Sequence, residues 1–193
     1  MKNLSELEGT VLGLVWVHPP CTPYRVRQFF LQSPSPHWSG SAGAVYPLLE
    51  RLTCRRLLAF ETRFAGRRSG REYRLTRRGL GELRRWIAGG ISERTAGVPV
   101  DPLRVRVRFL GSVSLNQRNA FLREARRKVG AHLRTVERDC RARRATGDTF
   151  SYLTARGALL ALRARMMWLR EVEQLASSEA LAPKRRSHAR SAN

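Results

Sequence analysis

The chain has 193 residues, 42% of them apolar. That is enough for one packed domain or two small ones, and it excludes wholesale disorder. The formal net charge is +22, and all but three of the 37 basic residues are arginine; Lys2, Lys128 and Lys184 are the exceptions. Arginine presents a planar fork of donors suited to phosphates and guanine edges, so the composition favours a polyanionic partner. A GC-rich genome accounts for part of the excess, because residues 1–90 carry +9 and residues 91–193 carry +13. Charge alone therefore does not locate a site.

The first helix is expected to begin near Ser5, where Ser5 and Glu8 have capping-box spacing. Leu4, Leu7, Val11, Leu14 and Val15 then share one face, and His18-Pro19-Pro20 ends the run. Thr22-Pro23 reads as the N-cap and first residue of a second helix, with Val26, Phe29 and Phe30 facing inward. That helix runs to the turn at Ser33-Pro34-Ser35-Pro36. A third helix begins near Ser39 or Ser41, and Val45, Leu48, Leu49 and Leu52 form its buried stripe. Pro47 is awkward inside it, since an interior proline removes a backbone bond.

Leu58, Phe60, Thr62 and Phe64 alternate with Ala59, Glu61 and Arg63, which is strand periodicity. A loop of Gly66, Arg67, Arg68, Ser69 and Gly70 reverses the chain, and Tyr73 and Leu75 return it. Thr76 caps a fourth helix with Leu80, Leu83, Trp86 and Ile87 on its apolar face, stopped at Gly89-Gly90. Three helices, a basic two-stranded wing and a closing helix make a winged helix-turn-helix.

Residues 4 to about 88 resemble the N-terminal domain of PadR-family transcriptional regulators. The resemblance rests on Leu4-Ser-Glu-Leu-Glu-Gly-Thr-Val-Leu-Gly-Leu14, on Gly43-Ala-Val-Tyr-Pro-Leu-Leu-Glu-Arg-Leu52, and on Glu72-Tyr-Arg-Leu-Thr-Arg-Arg-Gly79. Two departures stand out. The glycine that usually ends the third helix is replaced by Cys54-Arg55-Arg56-Leu57, and the family's Gly-Arg-Pro-x-Lys wing by Gly66-Arg-Arg-Ser-Gly70.

In the second half, Ser114 and Gln117 again have capping-box spacing. Leu122, Ala125, Val129, Leu133, Val136 and Cys140 follow at helical intervals. Asp148 heads another helix, with Leu159, Leu162, Met166, Leu169 and Val172 on its face. The short gap makes the two helices antiparallel neighbours. Two helices cannot fully bury such stripes, so pairing with a second copy is the economical solution. The resemblance implies that dimerisation role; the residues expected to carry it are Leu122, Val129, Leu133, Leu162, Met166 and Leu169. Folding of these helices back on the first domain is the monomeric alternative. Residues 103–109 alternate with strand period, but the resemblance implies a helix there. The tail from Ser177 is polar and basic, and reads as disordered.

The expected organisation is therefore mainly α with a small β-wing. Residues 1–90 form the DNA-binding domain, 91–112 a connecting segment, 113–176 the helical dimerisation region and 177–193 the tail. The expected function is sequence-specific regulation of transcription by a homodimer, most simply a repressor on a palindromic operator. Ser39, Ser41 and Tyr46 near the start of the third helix are the candidate contacts to bases or phosphates; a Tyr46 packed into the bundle is the plainer reading of that residue. Arg67, Arg68 and Arg71 of the wing would hold the backbone of double-stranded DNA, or else form a merely solvated hairpin. PadR-type regulators often respond to a small-molecule effector, and Trp86, Met166, Met167 and Trp168 are candidates for lining its pocket, although such stripes are more often plain core.

Two other functional classes compete with this reading. A basic RNA-binding or ribosome-associated protein would share the charge without needing a self-pairing half. An enzyme is disfavoured, since there is no glycine-rich phosphate loop and no nucleophile–base pair. Cys21, Cys54 and Cys140 are far apart, and His18, His37, His132 and His188 are scattered, so neither a metal nor a cofactor is expected. No run approaches the ~20 apolar residues that span a bilayer. Glu6 and Glu8 stand where an export signal would be positive, so a cytoplasmic protein without a membrane partner is expected.

Overall fold

The structure is a computed structural model and describes residues 3–33, 42–65 and 68–176. It divides into two compact units, Met1–Gly97 and Val98–Asn193.

In the first unit, α1 (Glu6–Val17) opens with the capping box: the Ser5 hydroxyl accepts from the Glu8 amide, and the Glu8 carboxylate accepts from the Ser5 amide at 3.0 Å. Glu8 also meets Arg55 at 2.9 Å. Burial pushes its carboxyl pKa up, but the Ser5 amide and the Arg55 guanidinium outweigh this and leave it below the usual value. Helix α2 (Pro23–Gln32) starts at the Thr22 cap with Pro23 in its first turn. Val26 and Phe30 are buried as expected, whereas Phe29 is exposed and meets Phe30 edge-on, with ring centroids 5.7 Å apart. Residues 26 and 30 lie one turn apart on the inner face, and 29 falls at its margin.

Helix α3 (Ala42–Cys54) carries Pro47 within it and buries the full stripe of Val45, Leu48, Leu49 and Leu52. Its end compensates for the missing glycine. The Leu57 amide donates to the Leu52 carbonyl and the Arg56 amide to that of Thr53, which is a Schellman closure. Arg56 takes the left-handed conformation the motif requires, with φ of 57°. Leu52 and Leu57, both buried, make the apolar contact that accompanies it.

Strands β1 (Leu58–Ala65) and β2 (Arg68–Leu75) pair antiparallel from Leu58↔Leu75 to Ala65↔Arg68. The ladder thus includes Arg68, Ser69 and Gly70, which the sequence assigned to a five-residue loop. Only positions 66 and 67 separate the strands, a length typical of tight hairpins. Cys21 bridges to Tyr73 through two backbone bonds of 2.9 and 2.8 Å, which anchors the base of the wing to the start of α2.

Helix α4 (Arg77–Ile87) is capped by the Thr76 hydroxyl, which accepts from the Gly79 amide at 2.9 Å. A Cβ at Gly79 would stand 2.0 Å from the Leu57 carbonyl oxygen, so this contact admits only glycine. Leu83 is buried and Trp86 packs partly against the core, but Ile87, expected inside, is exposed at the helix end. The core joins residues from α1, α2, α3, the wing base and α4. Each fully buried aliphatic side chain there contributes about 1.5–3 kcal/mol. A short α5 (Glu93–Ala96) closes the unit.

In the second unit, α6 (Pro102–Val107) covers most of the segment whose alternation read as strand. The Asp101 carboxylate accepts from the Leu103 amide at 2.9 Å and Pro102 occupies the first turn; this local start signal overrides the period-two pattern. A 3₁₀ turn (Leu110–Ser112) leads to α7 (Leu115–Ala145), which opens with the Ser114–Gln117 capping box. Helix α8 (Thr149–Ala176) returns along it, its start held by the Asp148 carboxylate accepting from the Ser151 amide at 3.1 Å. Arg165 pairs with Asp101 at 2.6 Å and ties α8 to the start of α6.

Candidate nucleic-acid interface

The buried stripe of α3 fixes what the helix offers to the outside. With Val45, Leu48, Leu49 and Leu52 turned inward, Gly43, Tyr46, Pro47, Glu50, Arg51 and Cys54 are exposed. Tyr46 retains 52% of its surface, so it is not packed into the bundle. Arg51 and Glu50 were not singled out from the sequence, although they fall on the complement of the apolar stripe and could have been read from it.

The wing stands beside this helix. Arg71 approaches Glu50 of α3 at 3.7 Å, and its guanidinium carbon lies 4.6 Å from the centre of the Phe60 ring. Phe60 in turn rests on Tyr73, its register partner, with ring centroids 5.7 Å apart. An exposed ion pair contributes little by itself. Stacking on an aromatic face adds to it and holds the guanidinium plane in a defined place. Arg63 is drawn to Glu72 at 3.0 Å. Of the expected contact residues, Tyr46 lies one turn before Glu50 on α3, and Arg71 reaches that Glu50 from β2. Ser39, Ser41 and Arg67, like the side chain of Arg68, lie outside the described residues, as does the tail from residue 177. Phe60, the platform for Arg71, was read from the sequence only as part of a strand.

The residues expected to dimerise lie elsewhere in the packing. Leu122, Val129 and Leu169 are buried within one chain, in the seam between α7 and α8. Leu133, Leu162 and Met166 pack partly against the same seam. The hairpin covers Leu122, Val129 and Leu169 within one chain and leaves Leu133, Leu162 and Met166 half-buried. Its more exposed apolar positions include Phe150, Leu153, Leu160, Met167 and Leu175 of α8, the first four of which fall on one stripe. Gly157 and Ala164 complete their spacing at alternating steps of three and four residues, the repeat of a coiled-coil seam.

Of the four residues suggested for an effector pocket, Trp86 lines a half-open cleft of about 650 Å³ with Leu4, Glu82, Arg85 and Ile91 in the first unit. Met166 and Trp168 pack on the α7–α8 seam, and Met167 is exposed. The two tryptophans thus belong to different units. Among the described residues, no cluster of three or more His, Cys, Asp or Glu side chains is placed to hold a metal ion. Among the same residues, no helix is long and apolar enough to cross a membrane.

Comparison with solved structures gives this arrangement its context. Bacillus subtilis PadR, solved in complex with operator DNA, is similar over 91% of this chain and 99% of its own, at 22% identity and a TM-score of 0.78. The chain has the fold of the PadR family. A PadR-like transcriptional regulator from Bacillus cereus matches over 90% of this chain and 98% of its own, at 16% identity and a TM-score of 0.72. The Vibrio cholerae virulence activator AphA matches over 90% of this chain and all of its own, at 22% identity and a TM-score of 0.61. A family model described as the virulence activator alpha C-terminal region matches residues 101–176, the α6–α8 part of the PadR fold. No curated protein sequence matches the chain significantly.

Proposed function

We propose that the chain is a PadR-family, DNA-binding regulator of transcription. The observation that carries this reading is the pairing of an outward α3 face, bearing Tyr46 and Arg51, with a basic hairpin held beside it through Arg71, Glu50 and Phe60. The α3 face enters the major groove, Ser39, Ser41 and Tyr46 contact bases or phosphates, and Arg67, Arg68 and Arg71 neutralise the backbone. That a protein of the same fold was solved on operator DNA supports the reading.

The working unit is a cytoplasmic homodimer. Its contact combines the exposed stripe of Phe150, Leu153, Leu160 and Met167 on α8 with the half-buried Leu133, Leu162 and Met166, over a seam of Leu122, Val129 and Leu169. Two-fold symmetry then sets two α3 helices about 34 Å apart, so the operator is a near-palindrome. Occupancy of a promoter by such a dimer represses by excluding polymerase, and a small-molecule effector releases it. The test is a footprint on the DNA upstream of the protein's own gene, with random duplex as competitor. Protection of a near-palindrome at a concentration that leaves random duplex free is the expected result. Equal retention of both, or preference for structured RNA, overturns the reading.

A further inference from the structure

A buried charge without a counter-charge is costly, and a fold that keeps one normally has a use for it. Arg118, in the first turn of α7, is such a group, with only 5% of its surface exposed. Its Nη1 donates to the Ala176 carbonyl at 2.9 Å, while its Nε is buried with no hydrogen-bond partner. Among the described residues no carboxylate lies within ion-pair distance of it, although Arg126, Arg127, Arg143, Arg163 and Arg165 of the same two helices all have one. The Ala176 carbonyl, at the C-terminal end of α8, satisfies one of its five donors and offsets only part of its charge.

Arg118 lines a cavity of about 320 Å³ with Val107, Leu110, Val172 and Leu175. The walls come from the end of α6, the 3₁₀ turn and the end of α8, all within the second unit. Arg108, Gly111 and Ala176 complete the lining; Arg108 and Leu175 are exposed at its mouth. This is the chemistry of a small-ligand site: an aliphatic wall, one desolvated cation at its side and a second cation exposed to solvent, with a volume at the lower end of the usual range. The lining carries no acidic side chain to receive a cationic ligand and no aromatic ring to stack a flat one. We propose that this cavity binds a small monocarboxylate with an aliphatic body, of the medium-chain fatty acid type. The carboxylate pairs with the Arg118 guanidinium and the hydrocarbon lies against Val107, Leu110, Val172 and Leu175. The site lies wholly within the second unit, and its occupancy is measured without DNA.

Octanoate titrated into the full-length protein by calorimetry is the direct probe, with 1-octanol as its uncharged counterpart. Wild type binds octanoate and binds octanol far more weakly. Arg118→Met loses about tenfold or more in octanoate affinity, as expected for removal of a charge-assisted pair. Leu110→Trp, which fills the cavity and keeps the arginine, abolishes binding, and it decides the matter where Arg118→Met fails to fold. Absence of octanoate binding to wild type, as when another part of the protein or a second copy already fills the cavity, overturns the proposal. Octanol binding as tightly as octanoate overturns it too. So does an Arg118→Met protein that binds normally, which leaves the arginine as a clamp on the Ala176 carbonyl alone.

Discussion

At Arg56 a single backbone angle carries a measurable cost. A left-handed conformation is unfavourable for any residue with a Cβ, by about 1–2 kcal/mol. Here it is retained because the Schellman closure satisfies the last carbonyls of α3 and delivers Leu57 into the core. Arg56→Gly removes the Cβ strain, and glycine's larger unfolded-state entropy takes back part of the gain. The net expectation is a stabilisation of about 0.5–1 kcal/mol, read as a higher urea midpoint at unchanged slope. A lower midpoint would mean that the arginine side chain makes an interaction worth more than the strain. Gly79 is the opposite case. Backbone occupies the space a methyl group would need, so this glycine serves close approach and not an unusual φ.

At the scale of the element, the wing is a short hairpin held beside α3 through Arg71 and Glu50, and the proposed DNA contact of its arginines depends on that placement. Replacing Arg68 and Arg71 together with alanine is expected to weaken binding to all duplexes alike. It should also flatten the dependence of log affinity on log salt by about 0.9 for each phosphate that is no longer neutralised. Anisotropy titrations across a salt series read both effects, and an unchanged slope removes the wing from the interface. Elements with a local start signal were legible in the sequence: the capping boxes at Ser5 and Ser114, the Thr22-Pro23 pair and the Thr76 cap each stand where a helix begins. These signals act within one turn and need no tertiary knowledge. Properties decided by packing against distant residues were less legible. Phe29 and Ile87 match the apolar period yet lie at the edge of their faces. The wing loop is shorter than its glycines suggested, because antiparallel pairing continues through Ser69 and Gly70. Of the proposed DNA interface, Tyr46 and Arg71 stood out in the sequence as residue types in a motif, whereas Glu50 and Phe60 gain meaning only when β1, β2 and α3 come together.

For the whole molecule, the two sets of apolar positions on α8 have separate consequences. The inner set is consumed by α7, so mutating Leu169 would mainly unfold the hairpin. The outer set is available to a second copy. Leu160→Arg combined with Met167→Arg should leave helicity and melting of the single chain nearly intact, since both side chains are exposed. The same pair should convert a dimer to a monomer by light scattering and remove tight operator binding with it. A double variant that keeps both its mass and its affinity would place self-association elsewhere. Arginine spread over both halves of the sequence adds attraction to any duplex, so in the proposed dimer the matching of two half-sites at once would add specificity to that general affinity.

The ion pair between Glu50 and Arg71 also bears on which bases are chosen. A carboxylate on a groove-facing helix is repelled by phosphates and can accept a hydrogen bond from the cytosine amino group. In the proposed complex Arg71 turns to the DNA backbone, Glu50 is left seeking a donor, and a C·G pair beneath α3 would supply one. Glu50→Gln should therefore blur the preference at a single position of each half-site while strengthening adhesion to unrelated duplex. A selection experiment that returns the same consensus for both proteins would assign the carboxylate to tethering the hairpin alone.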